Sequence, residues 1–286
     1  MRKIYLFTFM MLLLVHLKGQ AQQITLHVER AGTLHGMINA SRLPYITDLK
    51  LTGELNGTDI SFIRTLVKKN LRFLDLSEAR IVEGGAIYYS NYRTSNDIIG
   101  SYMFYNPDYS PISPCAISKI NLPNSVTGIE EGAFKSCTRL TDINIPNSVT
   151  SIGPETFKSC TSLTDINIPN SVTSIGEQAF YNCDNLKSVY MNASTPPFIG
   201  SQAFHNISKD LTIYIPRGSY TAYWLSYWGN YNLVEYDPTD IQGVTTSAHN
   251  GVEKYFSIDG RPLPGPCKGV NIIQDTDGKT RKAWIP

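Results

Sequence analysis

The side chains that could carry chemistry are few and scattered along this chain of 286 residues. Beyond residue 21 the histidines are His27, His35, His205 and His249. None of them belongs to an H-E-x-x-H zinc motif, and no G-x-S-x-G nucleophile motif occurs. The run from Asp275 to Gly278 resembles the start of a calcium loop, but the acidic residue that such a loop needs at its twelfth position is missing. A hairpin turn is the simpler interpretation of this run.

Two carboxylates recur at the same place in a repeated phrase. Asp142 and Asp165 lie 23 residues apart, and carboxylates held close together can perform acid–base catalysis. Here they occupy surface positions of a repeat, and no pocket is implied around them. We therefore expect a protein that is not an enzyme and that carries neither a cofactor nor a metal.

Three cysteines follow the same period: Cys137, Cys160 and Cys183. Three thiols cannot pair completely in disulfides, and no histidine accompanies them as a metal ligand would. Their spacing is that of the apolar core, which favours a buried column of reduced cysteines that act as small hydrophobic side chains. Cys115 and Cys267 lie outside this column, and the sequence leaves their state open.

The elements that position these residues are repeats. Ile117, Leu140, Leu163 and Leu186 are each 23 residues apart, and each opens a similar phrase, of which LTDINIPNSVTSIG is one version. A fixed period of this length is the signature of a solenoid, in which a unit is too small to bury its own apolar face and stacks on its neighbours. Because a stacked fold presents surfaces, the repeats favour a binding protein.

Each unit predicts a strand that ends in a turn. Ile143 and Ile145 alternate with Asp142 and Asn144, which places the isoleucines on the core side of a strand and the polar pair on the outer side. Pro146 ends the strand because it cannot donate a hydrogen bond to a neighbouring strand. The outer strand positions of successive units are thus expected to form one polar strip.

The repeated phrase resembles the BspA-like class of leucine-rich repeats, whose pattern is similar to L-x-x-I-x-I-P-x-S-V-T-x-I-G-x-x-A-F-x-x-C. The unit that starts at Leu140 matches it at Ile143, Ile145, Pro146, Ser148, Val149, Ile152, Gly153, Phe157 and Cys160. The spacing of the last two also predicts one helical turn that faces inward. Members of this family are typically surface or secreted proteins of bacteria, implicated in adhesion to host proteins or other cells. The resemblance implies a leucine-rich-repeat solenoid with an adhesive function.

Divergent segments flank the regular units. Ile46–Leu51 and Leu71–Leu76 repeat the strand spacing 25 residues apart, and Asp59 is placed to cap a helix between them. We interpret residues 24–81 as an N-terminal cap plus two divergent repeats. Downstream, Leu211–Pro216 is expected to be the last strand.

An aromatic stripe follows that last strand. Its members have the spacing of one helical face, and they are Tyr220, Tyr223, Trp224, Tyr227 and Trp228. Such a stripe can be a ligand platform, but a helix that covers an exposed core needs it equally, and we interpret it as a cap. The predicted fold is an α/β leucine-rich-repeat solenoid of 23-residue units with an N-terminal cap, an aromatic C-terminal cap and a small β-type tail.

Two insertions interrupt the repeats, at residues 82–116 and 192–199. The first contains Tyr88, Tyr89 and Tyr92 among other tyrosines, and we expect it to project as a long loop. Insertions in solenoids often carry binding residues, and tyrosine gives contact area at low entropic cost. The alternative, in which these tyrosines pack the loop onto the solenoid, stays open.

The chain begins with the features of a secretory signal. Arg2 and Lys3 precede an apolar run from Ile4 to Leu17, and the small residues Gly19 and Ala21 predict cleavage after residue 21. No later apolar run is long enough to cross a bilayer. A net charge of +1 without a basic run argues against nucleic-acid and anionic-membrane binding. We expect an exported protein at the cell surface or outside the cell, with the periplasm as the alternative.

The C-terminal region is predicted to be a separate segment with three short strands. Its motifs Y-x-S-x-D-G-R from Tyr255 and K-G-V-x-I-I from Lys268 are similar to those of C-terminal sorting segments in surface proteins of Bacteroidetes-type bacteria. The expected organisation is a signal peptide (1–21), a cap with divergent repeats and the insertion (22–116), repeats with the C-terminal cap (117–236), a linker (237–251) and the tail (252–286).

The candidate binding residues lie on the concave strand face and in the insertion. They are Asp142, Asn144, Asp165, Asn167, Tyr190 and Tyr214 on the strands, and Tyr88, Tyr89 and Tyr92 in the insertion. The leading hypothesis is an adhesion module that binds a host or bacterial surface protein there. Two other hypotheses stay open: an envelope component that binds glycans through Tyr190 and Tyr214, and an architectural spacer. The sequence determines neither the ligand nor the oligomeric state.

Overall fold

The computed structural model describes residues 22–105, 107 and 115–237, together with the backbone of four strands between 254 and 285. The predicted signal peptide (1–21), nearly all of the predicted linker and Cys267 lie outside the described residues. The chain divides into two compact units, the first of residues 1–189 and 197–211, the second of residues 190–196 and 212–286.

Strands dominate the secondary structure. In chain order they are β1 (Gln22–Val28), β2 (Ile46–Leu55), β3 (Phe73–Ile81), β4 (Gly84–Tyr89), β5 (Tyr92–Thr94), β6 (Ile98–Ile99), β7 (Lys119–Asn121), β8 (Gly128–Ile129), β9 (Asp142–Asn144), β10 (Ser151–Ile152), β11 (Asp165–Ile168), β12 (Ser174–Ile175), β13 (Ser188–Met191), β14 (Phe198–Ile199), β15 (Thr212–Pro216), β16 (Asn232–Tyr236), β17 (Lys254–Phe256), β18 (Pro262–Leu263), β19 (Gly269–Gln274) and β20 (Thr280–Ile285). The helices are α1 (Leu34–Met37), α2 (Gly57–Val67) and α3 (Tyr220–Trp224), with 3-10 helices at Ala40–Tyr45 and Tyr227–Asn230.

Two parallel sheets organise the first unit. The first runs in the order β1-β2-β3-β7-β9, and the second runs in the order β6-β8-β10-β12-β14. In the second sheet Ile152 pairs with Ile129 on one side and with Ile175 on the other, at a spacing of 23 residues in each direction. Parallel strands that recur in this way confirm the α/β repeat solenoid.

A column of phenylalanine rings fills the core of the first unit. Neighbouring rings lie 4.9 to 5.5 Å apart between centroids and within 17° of parallel, and the column consists of Phe104, Phe134, Phe157, Phe180 and Phe204. Gly176 is fixed by close packing of the turns, because a Cβ atom there would lie 2.4 Å from the backbone nitrogen of Pro154. The apolar and glycine positions of the repeat therefore have one cause, the close stacking of identical turns.

The segment that carries each phenylalanine is a hydrogen-bonded turn that also bonds to the next repeat. The amide of Cys160 donates to the carbonyl of Phe157 at 3.0 Å, which closes the single turn that the spacing predicts. The amide of Phe157 in turn donates to the carbonyl of Ala179 at 2.7 Å. Glu155 and Ser159 adopt positive φ angles of 52° and 62°, so the segment does not continue as an α-helix.

The helix between the first two long strands begins at a capping box. Asn56 is the N-cap, and its side chain accepts a hydrogen bond from the amide of Thr58. The expectation that Asp59 is the cap is wrong by three positions, because Asp59 is the third helical residue and its carboxylate accepts from the amide of Asn56. The same carboxylate also accepts from the amides of Gly32 and Leu34, which ties α2 to the preceding loop.

The C-terminal cap region of the second unit contains one strand more than expected. Leu211–Pro216 corresponds to β15, but it is not the last strand, since β16 pairs with it in parallel. The aromatic stripe is not one helical face either. Helix α3 ends at Trp224, and Ser226 in an extended conformation starts the separate 3-10 helix. The helical period is therefore lost halfway along the stripe.

The tail forms an antiparallel sheet in the order β18-β17-β19-β20. The three predicted strands are present, and the short β18 joins them by pairing with β17. Strands β19 and β20 pair over six residues, from Gly269 opposite Ile285 to Gln274 opposite Thr280. This arrangement confirms a small β-type tail.

Candidate binding surface

The predicted strip of the first unit lies on the outer face of its strands. Ile143 and Ile166 are 7% and 3% exposed, whereas their neighbours Asn144 and Asn167 are exposed. The register places Asn121 of β7 opposite Asn144 of β9. We name the outward side chains of β7, β9 and β11 the strand face.

The charged side chains of the strand face are already paired. The Nζ atom of Lys119 lies 2.8 Å from Oδ2 of Asp142, and the same Nζ lies 5.7 Å from the centroid of the Phe73 ring. The hydroxyl of Thr164 donates to Oδ2 of Asp165 at 2.6 Å. These contacts hold the two acidic candidates in fixed positions and partly neutralise them.

A third carboxylate continues this pattern on β3. Burial alone would raise the pKa of Asp75, yet hydrogen bonds from Ser77 and Asn121 and the positive charge of Lys50 together hold that pKa below its ordinary value. Asp75 therefore stays ionised at neutral pH while it fixes the side chain of Asn121.

Two amides of the strand face have no such restraint. The side chains of Asn144 and Asn167 are exposed, and neither has a hydrogen-bond partner among residues 22–105, 107 and 115–237. They lie 23 residues apart, at the same position of successive repeats. Since an asparagine amide offers both donors and an acceptor, this pair is the part of the strand face that is open to a ligand.

The candidate tyrosines Tyr190 and Tyr214 lie in the second unit and pack on each other. Their ring centroids are 4.6 Å apart at an angle of 12°, and Tyr236 meets the Tyr190 ring edge-on at 5.8 Å. Tyr190 is therefore only 8% exposed, which leaves its ring without the open face that a sugar would need. The hydroxyl of Tyr236 donates to the carbonyl of Met191 at 3.1 Å, and burial raises the pKa of Tyr236.

The described part of the tyrosine-rich insertion is a hairpin, β4–β5, that packs on α2. Tyr88 is buried, and its hydroxyl donates to the carbonyl of Ser101 at 2.8 Å. The approach is close, because a Cβ atom at Gly57 would lie 2.0 Å from the carbonyl oxygen of Ala86. The expectation of a projecting loop is wrong for this hairpin; residues 106 and 108–114 lie outside the described residues.

An arginine of α2 holds the other tyrosines of the insertion in place. The guanidinium of Arg64 lies 4.7 Å from the centroid of the Tyr89 ring and donates to the carbonyl oxygens of Tyr102 and Met103 at 2.9 and 2.7 Å. Burial lowers the pKa of Arg64, and the contacts to aromatic rings and carbonyls offset that cost. Tyr92 packs on the Tyr102 ring at 5.4 Å. These tyrosines therefore contribute to packing.

The cysteine column is buried, and its thiols are free. The described free cysteines are Cys115, Cys137, Cys160 and Cys183. Burial raises the pKa of Cys183 to about 12, and it also raises the pKa of Cys160 well above its ordinary value. In the described part of the chain no group of three His, Cys, Asp or Glu side chains could hold a metal ion, and no helix there is long and apolar enough to cross a membrane.

The sequence interpretation missed an exposed aromatic group in the second unit. Tyr223 and Trp228 are fully buried, but Tyr220, Trp224 and Tyr227 are 44%, 56% and 76% exposed. Ser226 inside the stripe is the signal that could have shown the break, because serine favours an N-cap.

Comparison with protein-family models identifies a repeat family in part of this chain. Residues 97–233 match the family described as BspA type leucine-rich repeat region, in six copies. Similar solved structures include a leucine-rich repeat protein of T. pallidum (25% identity, TM-score 0.40, 58% of this chain and 68% of that chain) and one of Bacteroides ovatus (19%, 0.38, 74% and 42%). Another is the pneumococcal vaccine antigen PcpA (15%, 0.38, 66% and 57%). This chain spans less than two thirds of the latter two. No curated protein is a significant match.

Proposed function

We propose that this protein is a non-catalytic adhesion module that binds another protein through the strand face, because residues 97–233 match the family described as BspA type leucine-rich repeat region. The observation that carries the proposal is the pair of exposed amides at Asn144 and Asn167, which have no side-chain hydrogen-bond partner within the described residues. The backbone of the strands fixes the spacing of these two residues, so only their side chains need to be ordered when a ligand binds.

The chemistry of the pair suits a polypeptide. Each amide can donate to a carbonyl oxygen and accept from an N–H group, which are the two groups that every peptide unit presents. The Lys119–Asp142 ion pair beside them adds a local dipole without a net charge. The tyrosines of the insertion fix the hairpin on α2, so the proposal assigns binding to the strand face.

The test uses a double substitution and a matched control. The exported chain is probed against an array of host extracellular-matrix proteins, and each protein that binds is titrated with the Asn144→Ala/Asn167→Ala variant. We expect the affinity to fall about thirtyfold, since two hydrogen bonds contribute roughly 1 kcal/mol each at a partly hydrated interface. The control is Asn147→Ala/Asn170→Ala, which changes two exposed asparagines with the same 23-residue spacing in the turns after the strands.

Two results would contradict the proposal. An equal loss of affinity in both double variants would move the binding site away from the strand face. Binding to none of the arrayed proteins would favour the architectural spacer. Thermal unfolding of each variant separates a lost contact from a lost fold.

We also propose that the protein acts outside the cytoplasm. The support comes from the sequence alone, from the signal-like residues 1–21 and the sorting-like residues 252–286. Adhesion requires such a location, because the partner is a protein of a host or of another cell.

A further inference from the structure

Four large apolar or aromatic side chains of the second unit are exposed to solvent. Tyr220, Trp224, Leu225 and Tyr227 are 44%, 56%, 80% and 76% exposed, and we name them the cap patch. Soluble proteins seldom expose large apolar side chains in groups, and such groups usually mark a binding surface.

The cap patch rests on a rigid base. Tyr223 and Trp228 alternate with its members and are fully buried, with their ring centroids 6.0 Å apart. The hydroxyl of Tyr223 donates to the carbonyl of Ala193 at 2.8 Å, and the amide of Trp228 donates to Oγ of Ser226 at 3.2 Å. Because the buried residues anchor both ends of the segment, little conformational entropy is lost when a ligand binds.

Two rings of the cap patch are almost parallel. Tyr220 and Trp224 lie one helical turn apart, with centroids 6.1 Å apart and planes at 11°. This separation is that of an offset pair, in which part of each ring face stays uncovered. The faces of aromatic rings carry partial negative charge, so they attract polarised C–H groups.

The segment that contains the cap patch has no charged residue, and Arg217 and Glu235 border it. From Gly218 to Val234 the sequence contains no Asp, Glu, Lys or Arg, and its polar side chains are hydroxyls and amides. Glu235 borders the segment, but its Oε1 already accepts from the amides of Gly218 and Tyr220 at 2.9 and 3.1 Å. A nucleic acid or an anionic membrane would need a cluster of basic residues here.

We propose that the cap patch is a binding site for neutral glycans. The C–H face of a pyranose ring stacks on the Trp224 and Tyr220 rings, and Tyr227 extends the platform. The hydroxyls of the sugar bond to exposed amides beside it. The Nδ2 group of Asn230 donates to the carbonyl of Tyr227, and that of Asn232 donates to the hydroxyl of Thr212. Within the described residues, the Oδ1 atoms of both asparagines have no hydrogen-bond partner.

This site is separate from the strand face, which belongs to the first unit. It also differs from the glycan site expected at Tyr190 and Tyr214, since those rings cover each other. A chain with both sites would bind a protein through asparagine amides and a sugar through aromatic rings.

The test uses the full exported chain and a panel of neutral hexasaccharides, built of β-1,4-linked glucose, xylose, mannose or N-acetylglucosamine, with hexagalacturonate as the acidic member. Binding is followed by calorimetry and by tryptophan fluorescence. We expect at least one neutral hexasaccharide to bind, with an affinity that is the same at low and high salt, because no charge is involved.

Three variants identify the contact. Trp224→Leu keeps an apolar side chain but removes the π face, and it should weaken binding by roughly tenfold or more, whereas Trp224→Phe keeps a ring and should lose less. Tyr45→Ala, which removes an exposed tyrosine of the first unit, should leave the affinity unchanged. Trp224 and Tyr45 are both exposed, so these substitutions leave the core intact. The melting curves of the three variants should therefore match that of the parent.

Other outcomes would overturn the proposal. These are binding of hexagalacturonate alone, binding of no neutral hexasaccharide, or equal affinity in Trp224→Leu and Trp224→Phe. Binding to phosphatidylcholine vesicles instead of sugars would assign the cap patch to a membrane surface. The Asn144→Ala/Asn167→Ala variant should bind the hexasaccharide normally, so this proposal and the protein-binding proposal can fail independently.

Discussion

The thiol of Cys160 donates a hydrogen bond of 3.2 Å to the carbonyl oxygen of Phe134, one repeat earlier in the chain. Cys137 and Cys183 make the equivalent bonds to Phe104 and Phe157 at 3.3 and 3.1 Å. The column therefore connects successive turns through S–H groups. A cysteine at this position fills a small apolar space, and its thiol also donates to a carbonyl of the preceding repeat.

Cys160→Ala should destabilise the first unit by about 1–3 kcal/mol. The substitution removes the volume of a buried sulfur and one of the two donors to the carbonyl of Phe134, which keeps the hydrogen bond from the amide of Cys137. Chemical denaturation measures the change, and Thr161→Ala, at the neighbouring half-buried position, is the control. Any ligand of the folded protein should bind the variant as before. An unchanged denaturation midpoint would show that the sulfur contributes nothing to packing.

The column thiols should resist modification at neutral pH. Burial raises the pKa of Cys160 and Cys183 above the ordinary value, and only the thiolate reacts rapidly with a disulfide reagent. We expect slow labelling by Ellman's reagent in the native protein and rapid labelling after unfolding. Fast native labelling of Cys137, Cys160 and Cys183, or a mass two units low for a bridge among them, would contradict a reduced structural column.

Asp59 should be one of the polar residues whose substitution destabilises the protein most. It is 1% exposed, and its carboxylate accepts from the amides of Gly32, Leu34 and Asn56. Asp59→Ala leaves buried donors unsatisfied and should cost about 2–4 kcal/mol, since one such donor costs roughly 1–3 kcal/mol. Asp184→Ala, at an exposed position, is the control and should change the unfolding free energy by less than about 0.5 kcal/mol. Similar costs in the two variants would exclude a special role for Asp59.

Glu155 should make the unfolding free energy depend on pH in the acidic range. Burial opposes its ionisation, but hydrogen bonds and positive charge from Lys135 and Lys158 hold its pKa below the ordinary value of 4.5. A depressed carboxyl pKa contributes stability above the unfolded-state value, and this contribution is lost as the pH falls through the folded-state pKa. The three side chains are 19–23% exposed, so screening is incomplete.

Glu155→Gln should therefore reduce the unfolding free energy at pH 7 by on the order of 1 kcal/mol. The difference from the parent should shrink below pH 4.5, where the parent carboxylate becomes protonated. Denaturation midpoints at several pH values measure it, with Glu177→Gln as the exposed control. A difference that stays constant down to pH 2 would show that charge at Glu155 is irrelevant.

Deletion of residues 252–286 should leave thermal stability almost unchanged and misplace the protein. Short segments rarely contribute a large core, and the motifs of this tail resemble a sorting signal. The measurement pairs a melting curve of the truncated protein with surface labelling of the producing cells. A large fall in melting temperature would make the tail part of the fold, and unchanged surface display would exclude a sorting role.

The local sequence pattern was sufficient to predict the structural features that depend on a single strand or a single repeat. The alternation of Ile143 with Asn144 predicted which side chain faces the core, and the 23-residue spacing of Cys137, Cys160 and Cys183 predicted a buried column. Identical units stack identically, so the repeat carries its own packing information. The side of a strand on which a residue lies is a property of its immediate neighbours.

The exposure of a side chain in the folded protein could not be predicted from the local pattern, because it depends on segments that are distant in sequence. Tyr190 occupies an outward strand position, yet Tyr214 and Tyr236 cover it. The segment around Tyr88 has the composition of a recognition loop, yet the hairpin that contains Tyr88 packs on α2. The stripe from Tyr220 to Trp228 has a helical spacing, yet Ser226 divides it between two helices, each of which has buried and exposed rings.

The sequence by itself determined the repeat, the strand polarity and the buried cysteine column of this protein, because each follows from residues a few positions apart. Only the tertiary structure decided which polar and aromatic side chains remain available. Asn144 and Asn167 are open because no side chain of the described residues bonds to their amides, and Trp224 is open where its helix ends. Availability to a ligand is what remains after every other segment has packed, so it cannot be read from local spacing.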